Sequence, residues 1–309
     1  MNLEYMTYKV LRATIILMGL IPIGVARFIG KMAGTLAFMI PMSRKKVALE
    51  NILCSFDGMM TQGEVKKTLR KVYLHFGQMF LEVPHVMRLS PQNMHRYITF
   101  DHEQNLRNAL AKGKGVFALT GHFGNWELMC AAVAMRFGNS AVVARPLDFK
   151  PADRLMIDLR SRHGTEIIPA RRSMRHLIRA ARENRIIGIL LDQNVDWYEG
   201  TFVNFLGRPA CSNKGLALLA LKTGAPVIPF FSVREGADRY RIIIEKEVAL
   251  IRTGDKRKDV EDNTALFTSI IESYIRKYPD HWFWFHKRWK TKNYCEIKNG
   301  IEETGARIQ

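Results

Sequence analysis

A histidine and a glutamate are separated by four residues at the point where an apolar segment ends. His122 and Glu127 lie in the run T-G-H-F-G-N-W-E-L, residues 120–128. A neutral imidazole can take a proton from a hydroxyl group when a carboxylate fixes its tautomer and stabilises the imidazolium that forms. The pair therefore predicts a general base with its orienting partner. The alternative is a loop histidine and an ordinary glutamate that do not meet.

The segments around this pair predict a strand, a tight loop and a helix. Residues 115–120 are short and apolar, as in a buried strand, and apolar side chains at helical spacing follow Asn125. Asn125 is placed to cap that helix, whose N-terminus favours the ionised glutamate. Gly121 and Gly124 allow the loop to turn tightly enough to bring the histidine and the glutamate together.

Strand-like apolar runs alternate with helical patterns beyond residue 101. The strands are expected at 115–120, 141–144, 166–169, 186–191, 227–233 and 240–250. The helices are expected at 125–136, 152–163, 172–184, 214–222 and 260–277. Such alternation predicts an α/β fold with a mostly parallel central sheet flanked by helices. In such folds functional groups gather at the carboxyl ends of the strands, where His122 falls.

The first 43 residues are apolar but interrupted. Residues 13–26 and 32–43 carry no charge, with Arg27 and Lys31 between them, and Pro22 would kink a helix through the first block. Neither block reaches the roughly 20 residues of a membrane span. We expect membrane-associating helices over 1–43, with a buried helix pair as the alternative. A catalytic domain over 44–295 and a polar tail over 296–309 would follow.

Charge and motifs narrow the classes of function. Lys and Arg outnumber Asp and Glu by 47 to 29, giving a net charge of +18, which predicts a polyanionic partner such as nucleic acid, an anionic membrane or acidic carrier and lipid molecules. The four cysteines have no C-x-x-C spacing, which argues against a disulfide framework or a zinc site, and no metal is expected. The sequence contains no G-x-S-x-G, P-loop, dinucleotide-binding or H-E-x-x-H motif.

Further polar residues follow other predicted strands. Arg145 ends the second strand, where a guanidinium could bind a phosphate or polarise a carbonyl; a surface arginine beside a proline is the alternative. Asp192 and Gln193 follow the fourth strand. The aromatic and basic run at 281–289 suits a membrane interface, or stacking on nucleic-acid bases, although no nucleic-acid-binding motif surrounds it.

Taken in order, these segments resemble the lipid A biosynthesis lauroyl/myristoyl acyltransferase family, a branch of the glycerolipid acyltransferase-like enzymes. The resemblance covers most of the chain and runs through R-K-K-V-A-L-E-N-I, T-G-H-F-G-N-W-E, A-R-P, L-D-Q-N, F-L-G, G-A-P-V-I-P-F and W-F-W-F-H-K-R-W-K. It implies that His122 and Glu127 form the family's catalytic dyad. The strand-end residues Arg145, Asp192 and Gln193 match family positions and are expected to bind the substrate or its oxyanion.

The resemblance implies direct transfer of a fatty acyl chain from an acyl carrier protein thioester to a hydroxyl of a lipid A precursor, without a cofactor. His122 would deprotonate the hydroxyl, while Arg145, Gly124 and Asn125 would help to stabilise the oxyanion. The acyl groove would be lined by Phe123, Trp126, Phe205, Leu206 and Gly207, although aromatic residues in a loop such as 202–207 more often belong to the core.

The implied partners are an acyl carrier protein, an anionic glycolipid and a membrane surface, at the cytoplasmic face of a bacterial inner membrane. Nucleic acid is not expected. The alternative acceptor is a lysophospholipid or another membrane glycolipid.

Overall fold

A mixed α/β architecture is present in the computed structural model, which describes residues 3–236 and 239–292. Its helices are α1 Leu3–Met18, α2 Ile23–Met39, α3 Ser43–Ser55, α4 Gln62–Glu82, α5 Glu103–Leu110, α6 Trp126–Phe137, α7 Lys150–Ser161, α8 Met174–Arg182, α9 Gly215–Thr223 and α10 Lys256–Lys277. Its strands are β1 Ile98–Asp101, β2 Val116–Thr120, β3 Ser140–Ala144, β4 Glu166–Pro169, β5 Ile186–Leu190, β6 Gly200–Phe205, β7 Arg208–Asn213, β8 Val227–Glu235 and β9 Arg239–Ile244. Short 3₁₀ helices are Val83–Arg88, Met94–Arg96 and Pro279–His281.

The central sheet has the strand order β1-β9-β8-β2-β5-β3-β4 in the described part of the chain. Every neighbouring pair is parallel except β8 and β9, so the predicted mostly parallel sheet is confirmed. Side chains alternate along β2: Phe117 and Leu119 pack on the side of α8, α9 and α10, whereas Val116 and Ala118 pack on the side of α5, α6 and α7. The sheet is therefore covered on both faces, as its continuous apolar strands require.

Two features of the sheet differ from the sequence-based expectation. The short strand β1 was not expected, and β9 ends at Ile244 rather than at 250.

Residues 202–207 form most of β6 and its turn rather than a loop, since β6 and β7 make an antiparallel hairpin. Leu206 and Gly207 both have positive φ, 52° and 81°, as tight hairpin turns require.

The N-terminal helices α1 and α2 pack on the rest of the fold. Glycines bring α2 and α4 into close contact, because a Cβ on Gly34 would lie 2.3 Å from the Tyr73 carbonyl oxygen. Large apolar side chains nevertheless remain exposed on α1 and α2, among them Leu17, Val25, Phe28, Met32, Leu36 and Met39. Within the described residues no single helix is long and apolar enough to span a bilayer; α1 and α2 meet that criterion only as a pair bent by 113°. The predicted tail at 296–309 lies outside the described residues.

A buried ion cluster joins α2, α4, β8, β9 and the start of α6. The carboxylate of Glu82 accepts hydrogen bonds from Arg27 (2.6 Å), Arg234 (2.7 and 2.9 Å), the hydroxyl of Tyr240 (2.6 Å) and the amide of Asn125 (3.2 Å). Burial opposes ionisation of Glu82, but Arg234, together with Arg27 and the Tyr240 hydroxyl, outweighs burial and holds the pKa of Glu82 below its usual value. The cluster fixes Asn125, three residues after His122.

Candidate active site

His122 lies on the loop between β2 and α6, as the sequence predicts. Asn125 caps α6, its side-chain oxygen accepting a hydrogen bond from the Leu128 amide at 3.0 Å. Gly124 has φ +60°, and a Cβ there would come 1.6 Å from the Ser232 carbonyl oxygen. Only glycine allows the loop to approach β8 so closely, and this approach sets the position of His122.

The carboxylate that meets His122 is Asp192. The Nδ1 atom of His122 lies 2.9 Å from Asp192 Oδ1, and the backbone amide of His122 donates to Asp192 Oδ2 at 2.8 Å. Asp192 follows β5, the strand that pairs with β2, so the two residues leave the same edge of the sheet side by side. The side chain of Asp192 is fully buried, and its oxygens are bonded to His122 and Trp282, so the expected substrate-binding role of Asp192 is wrong.

The environment keeps Asp192 ionised. Burial opposes its charge, yet the attraction and hydrogen bonds of His122 outweigh burial and hold the pKa of Asp192 far below its usual value. An ionised carboxylate can only accept hydrogen bonds, so in the neutral ring Nδ1 carries the proton and Nε2 carries a lone pair without a proton. The His122 side chain is 22% exposed, and Gln193 Nε2 lies 3.3 Å from His122 Nε2. The arrangement presents a basic nitrogen at the surface, beside an amide.

Glu127 does not make the contact with His122 that the sequence-based interpretation required. Its carboxylate accepts two hydrogen bonds from Arg160 on α7, at 2.9 and 2.5 Å, and one from Trp126 Nε1 at 3.0 Å. A side chain in the first turn of α6 points towards α7, where the guanidinium binds it with both oxygens. Orientation of His122 by Glu127 is corrected to orientation by Asp192. A catalytic role for Glu127 stays a prediction of the family resemblance.

Trp126 connects Glu127 to the histidine indirectly. Its ring packs edge-on against the imidazole of His122, with 5.1 Å between ring centroids. The indole N–H is held by Glu127, which Arg160 holds in turn. Glu127 and Arg160 thus fix the position of the Trp126 ring beside His122.

The loop donors expected for an oxyanion are already bonded. The backbone amide of Gly124 donates to the carbonyl of His281 at 2.8 Å, and the amide of Phe123 donates to Gly121. Asn125 uses its side-chain oxygen for the helix cap and its amide for Glu82. The predicted oxyanion roles of the Gly124 amide and of the Asn125 side chain are therefore wrong, since tertiary packing occupies these groups.

Most residues of the expected acyl groove belong to the core. Phe123, Phe205 and Leu206 are at most 1% exposed. Phe123 packs among Phe231, Tyr274, Tyr278 and His281, and Phe205 packs between Trp282 and Trp289. Gly207 occupies the hairpin turn, which leaves Trp126, half-buried beside His122, as the one member of the expected set placed at the site.

Arg145 lies at the carboxyl edge of the sheet, as expected, but points into solvent. Its side chain is 82% exposed, and its nearest acidic partner in the described chain is Asp148 at 3.7 Å. β3 is separated from β2 by β5 alone. A role in binding substrate anions stays a prediction for Arg145, as it does for Gln193.

The residue that sequence reasoning missed is Trp282. Its indole Nε1 donates to Asp192 Oδ2 at 2.7 Å, and its ring is fully buried. His286 lies nearby, with Nε2 3.2 Å from the Asp192 backbone carbonyl. The aromatic run at 281–289, interpreted as an interface for membrane or bases, supports the carboxylate instead. Trp282 lies 90 residues after Asp192, so no local sequence pattern indicates their contact.

Replacing Trp282 by phenylalanine is expected to lower kcat about tenfold, because it removes the hydrogen bond that positions the Asp192 carboxylate. A hydrogen bond to a charged group stabilises its partners by roughly 1.5–3 kcal/mol. With one donor fewer, Asp192 becomes more basic and holds the imidazolium more strongly. The acidic limb of the pH–rate profile should therefore move to higher pH.

The matched control for that variant is Trp284→Phe. Trp284 is also fully buried, but its N–H donates to the Pro279 carbonyl at 2.7 Å. We expect a comparable loss of packing without a shift of the acidic limb. Equal pH–rate profiles for the two variants would show that Trp282 only fills space.

The fold and the site together define an α/β protein with a histidine held by a buried carboxylate at the sheet edge, and sequence comparison supplies the family. The profile of the bacterial lipid A biosynthesis acyltransferase family matches residues 2–291. The chain therefore belongs to that family, whose relatives support acyl transfer to a lipid.

Individual relatives are distant. The chain is 23% identical to a lipid A biosynthesis lauroyltransferase of Escherichia coli K12, over 84% of this chain and 83% of that protein. It is 22% identical to the palmitoleoyltransferase of the same strain, over 88% and 87%. A phosphatidylinositol mannoside acyltransferase of Mycobacterium tuberculosis is 30% identical over 43% of each chain. The crystal structure of a 1-acyl-sn-glycerophosphate acyltransferase from Thermotoga maritima aligns over 77% of this chain and 99% of that one, with 11% identity and a TM-score of 0.33.

Proposed function

We propose that this protein transfers a fatty acyl chain of the lauroyl or myristoyl class from an acyl carrier protein thioester to a hydroxyl of a lipid A precursor. The observation that carries the proposal is the pairing of His122 with the buried carboxylate of Asp192, which leaves Nε2 of the ring free to accept a proton. Membership in the lipid A acyltransferase family supplies the reaction class.

The chemistry follows from the unprotonated Nε2 atom of His122. Nε2 of His122 removes the proton of the acceptor hydroxyl as its oxygen attacks the thioester carbonyl. The negative charge of Asp192 stabilises the imidazolium through Nδ1. The tetrahedral intermediate then collapses, the carbon–sulfur bond breaks, and the leaving thiolate takes the proton from His122. The ester forms directly, without an acyl-enzyme. Gln193 and Arg145 would contact the substrate at the same edge of the sheet.

A position on the cytoplasmic face of a bacterial inner membrane is part of the proposal. The exposed apolar side chains of α1 and α2 would enter the lipid, and the exposed Lys31 of α2 would meet anionic headgroups. The net charge of +18 suits a phosphorylated glycolipid acceptor.

A second acceptor is favoured by one observation. Phosphatidylinositol mannoside acyltransferases match this chain at 30% identity, although over only 43% of its length. A mannosylated or other membrane glycolipid is therefore the alternative acceptor, with the same base and the same attack on a thioester.

The test is acyl transfer from carrier-protein thioesters of several chain lengths to a lipid A precursor, with wild type and His122→Ala compared. Loss of the general base should lower kcat by at least about 10²- to 10⁴-fold. The control is His95→Ala, an exposed histidine in a 3₁₀ helix, which should leave the rate unchanged.

Comparable rates for wild type and His122→Ala would refute the role of the base. Transfer to a mannosylated lipid or a lysophospholipid, with none to the lipid A precursor, would replace the acceptor and keep the reaction.

A further inference from the structure

Helix α8 carries arginines along the face opposite its buried side. Leu177, Ala180 and Ala181 are buried against the sheet side that also carries α9 and α10. At 100° per residue, Arg175, Arg179 and Arg182 centre on the direction opposite Leu177. Arg171 and Arg172 extend this set through the turn before the helix. These five residues are called the arginine face.

The arginine face is mostly unneutralised. Arg179 lies 3.5 Å from Glu183 and 3.9 Å from Glu166. The other four arginines form no ion pair with any residue in the described ranges, and residues 170–182 include no acidic residue. Like charges one helical turn apart repel each other and destabilise a helix. A partner of opposite charge would relieve this repulsion.

The start of the arginine face lies at the edge of the sheet that carries the site. The Ala170 amide donates to the Ala144 carbonyl at 3.0 Å, so the turn after β4 sits beside the end of β3. With the order β2-β5-β3-β4, this turn is three strand spacings, about 14 Å, from the end of β2.

The loop that begins with Asp192 approaches the same turn. A hydrogen bond to Asp196 raises the pKa of Tyr198, and Arg171 lies close enough to oppose that rise. Tyr198 and its neighbour Trp197 are exposed. A partner seated on the arginine face would therefore lie next to the loop that leads to the site.

The geometry of α8 does not suit a lipid surface. A helix that binds membrane turns its apolar side to the lipid, whereas the apolar side of α8 is buried within the protein. Of the two helices with exposed apolar side chains, α1 packs with α6 and α7 on the other face of the sheet, where Leu11 and Ile15 join their core. The other, α2, packs on α4. A charged face without an apolar stripe suits the surface of an acidic, water-soluble protein.

We propose that the arginine face is the docking surface for the acyl carrier protein, the acidic partner that delivers the thioester. This inference rests on the proposed function, because it assumes a protein-borne donor. The arginines would steer the carrier and hold it, while its flexible arm carries the thioester across the sheet edge to His122. None of the five arginines takes part in the acyl-transfer step.

The test is the variant Arg171→Glu/Arg172→Glu/Arg175→Glu, assayed with dodecanoyl carrier protein and with dodecanoyl-pantetheine at low ionic strength. We expect kcat/KM for the protein donor to fall about 10- to 100-fold, because charge reversal removes steering and adds repulsion. The kcat at saturation, and kcat/KM for the pantetheine donor, should stay within about twofold. Direct titration with the holo carrier protein should show the same loss of affinity without any chemistry.

The matched control reverses three exposed cations elsewhere, in Lys66→Glu/Lys67→Glu/Arg70→Glu on α4. An equal loss in this control would reduce the effect to net charge and overturn the proposal. Equal loss with the pantetheine donor would assign α8 a structural role and also overturn it.

Two further outcomes separate the proposals from each other. Unchanged kinetics and titration with the carrier, together with weaker binding to phosphatidylglycerol vesicles, would assign the face to lipid instead. If wild type accepts acyl groups from neither donor, the proposed function fails, while the titration still decides whether the carrier binds α8.

Discussion

Asp192→Asn is expected to lower kcat by about 10²- to 10⁴-fold. Asp192 Oδ2 accepts two N–H groups, the His122 amide and the Trp282 indole, so an asparagine must place its oxygen there. Its NH₂ group then faces His122 Nδ1 and forces the ring proton onto Nε2, the atom that has to accept the substrate proton. The loss of negative charge also destabilises the imidazolium, so the acidic limb of the residual activity should move to lower pH.

Glu127→Gln is the matched comparison for Asp192→Asn. It also removes one carboxylate charge near the site, but it leaves the contact between His122 and Asp192 in place. We expect the rate to fall through loosening of Arg160 and Trp126, with the acidic limb unmoved. Suppose that kcat of Asp192→Asn stays within tenfold of wild type while Glu127→Gln shifts the acidic limb of the pH–rate profile. Glu127, and not Asp192, would then be the residue that orients His122.

Glu82→Gln is expected to lower the free energy of unfolding by about 3–5 kcal/mol, the cost of removing one member of a buried ion pair. The change leaves the buried guanidinium of Arg234, whose side chain is 8% exposed, facing a neutral amide. Urea unfolding followed by circular dichroism measures the difference. The control Glu103→Gln removes a partly exposed partner of Arg107 and Arg136 and should cost at most about 1 kcal/mol.

The pH dependence of the Glu82→Gln effect has a fixed sign. The folded pKa of Glu82 is lowered, so its stabilisation is complete above the unfolded value of about 4.3 and is lost as pH falls through the folded pKa. The stability gap between wild type and variant should thus be constant near neutral pH and shrink only below about pH 4. If the difference in free energy of unfolding already disappears near pH 6, a group other than Glu82 causes it.

Local sequence was sufficient wherever a feature depends on neighbouring residues. The apolar run before His122, the cap at Asn125 and the glycine at 124 act over a few positions, so strand, loop and helix followed from their order. The alternation beyond residue 101 predicted the parallel sheet. The hairpin of β6 and β7 was not predicted, because its two short strands pair only with each other and residues 202–207 were interpreted as an apolar loop.

The wrong assignments in the site share a physical cause. Glu127 is near His122 along the chain, but the direction of α6 carries its carboxylate to Arg160. Asn125 and Gly124 seemed available as donors because the sequence does not show that Glu82 and His281 bind them. Buried polar groups form hydrogen bonds with whichever groups the packing of the whole chain brings next to them. No fixed spacing in the sequence specifies these partners.

The sequence by itself determined the type of fold, the position of His122 on the loop after β2, the family resemblance and the placing of Asp192 at a strand end. Only the tertiary structure decided that Asp192 holds His122 and that Trp282 holds Asp192. Residues 70 and 90 positions apart meet because β2 and β5 are neighbours in the sheet and the segment after α10 closes over their ends. Strand order arises from packing the whole core at once, so no local pattern in the chain specifies it.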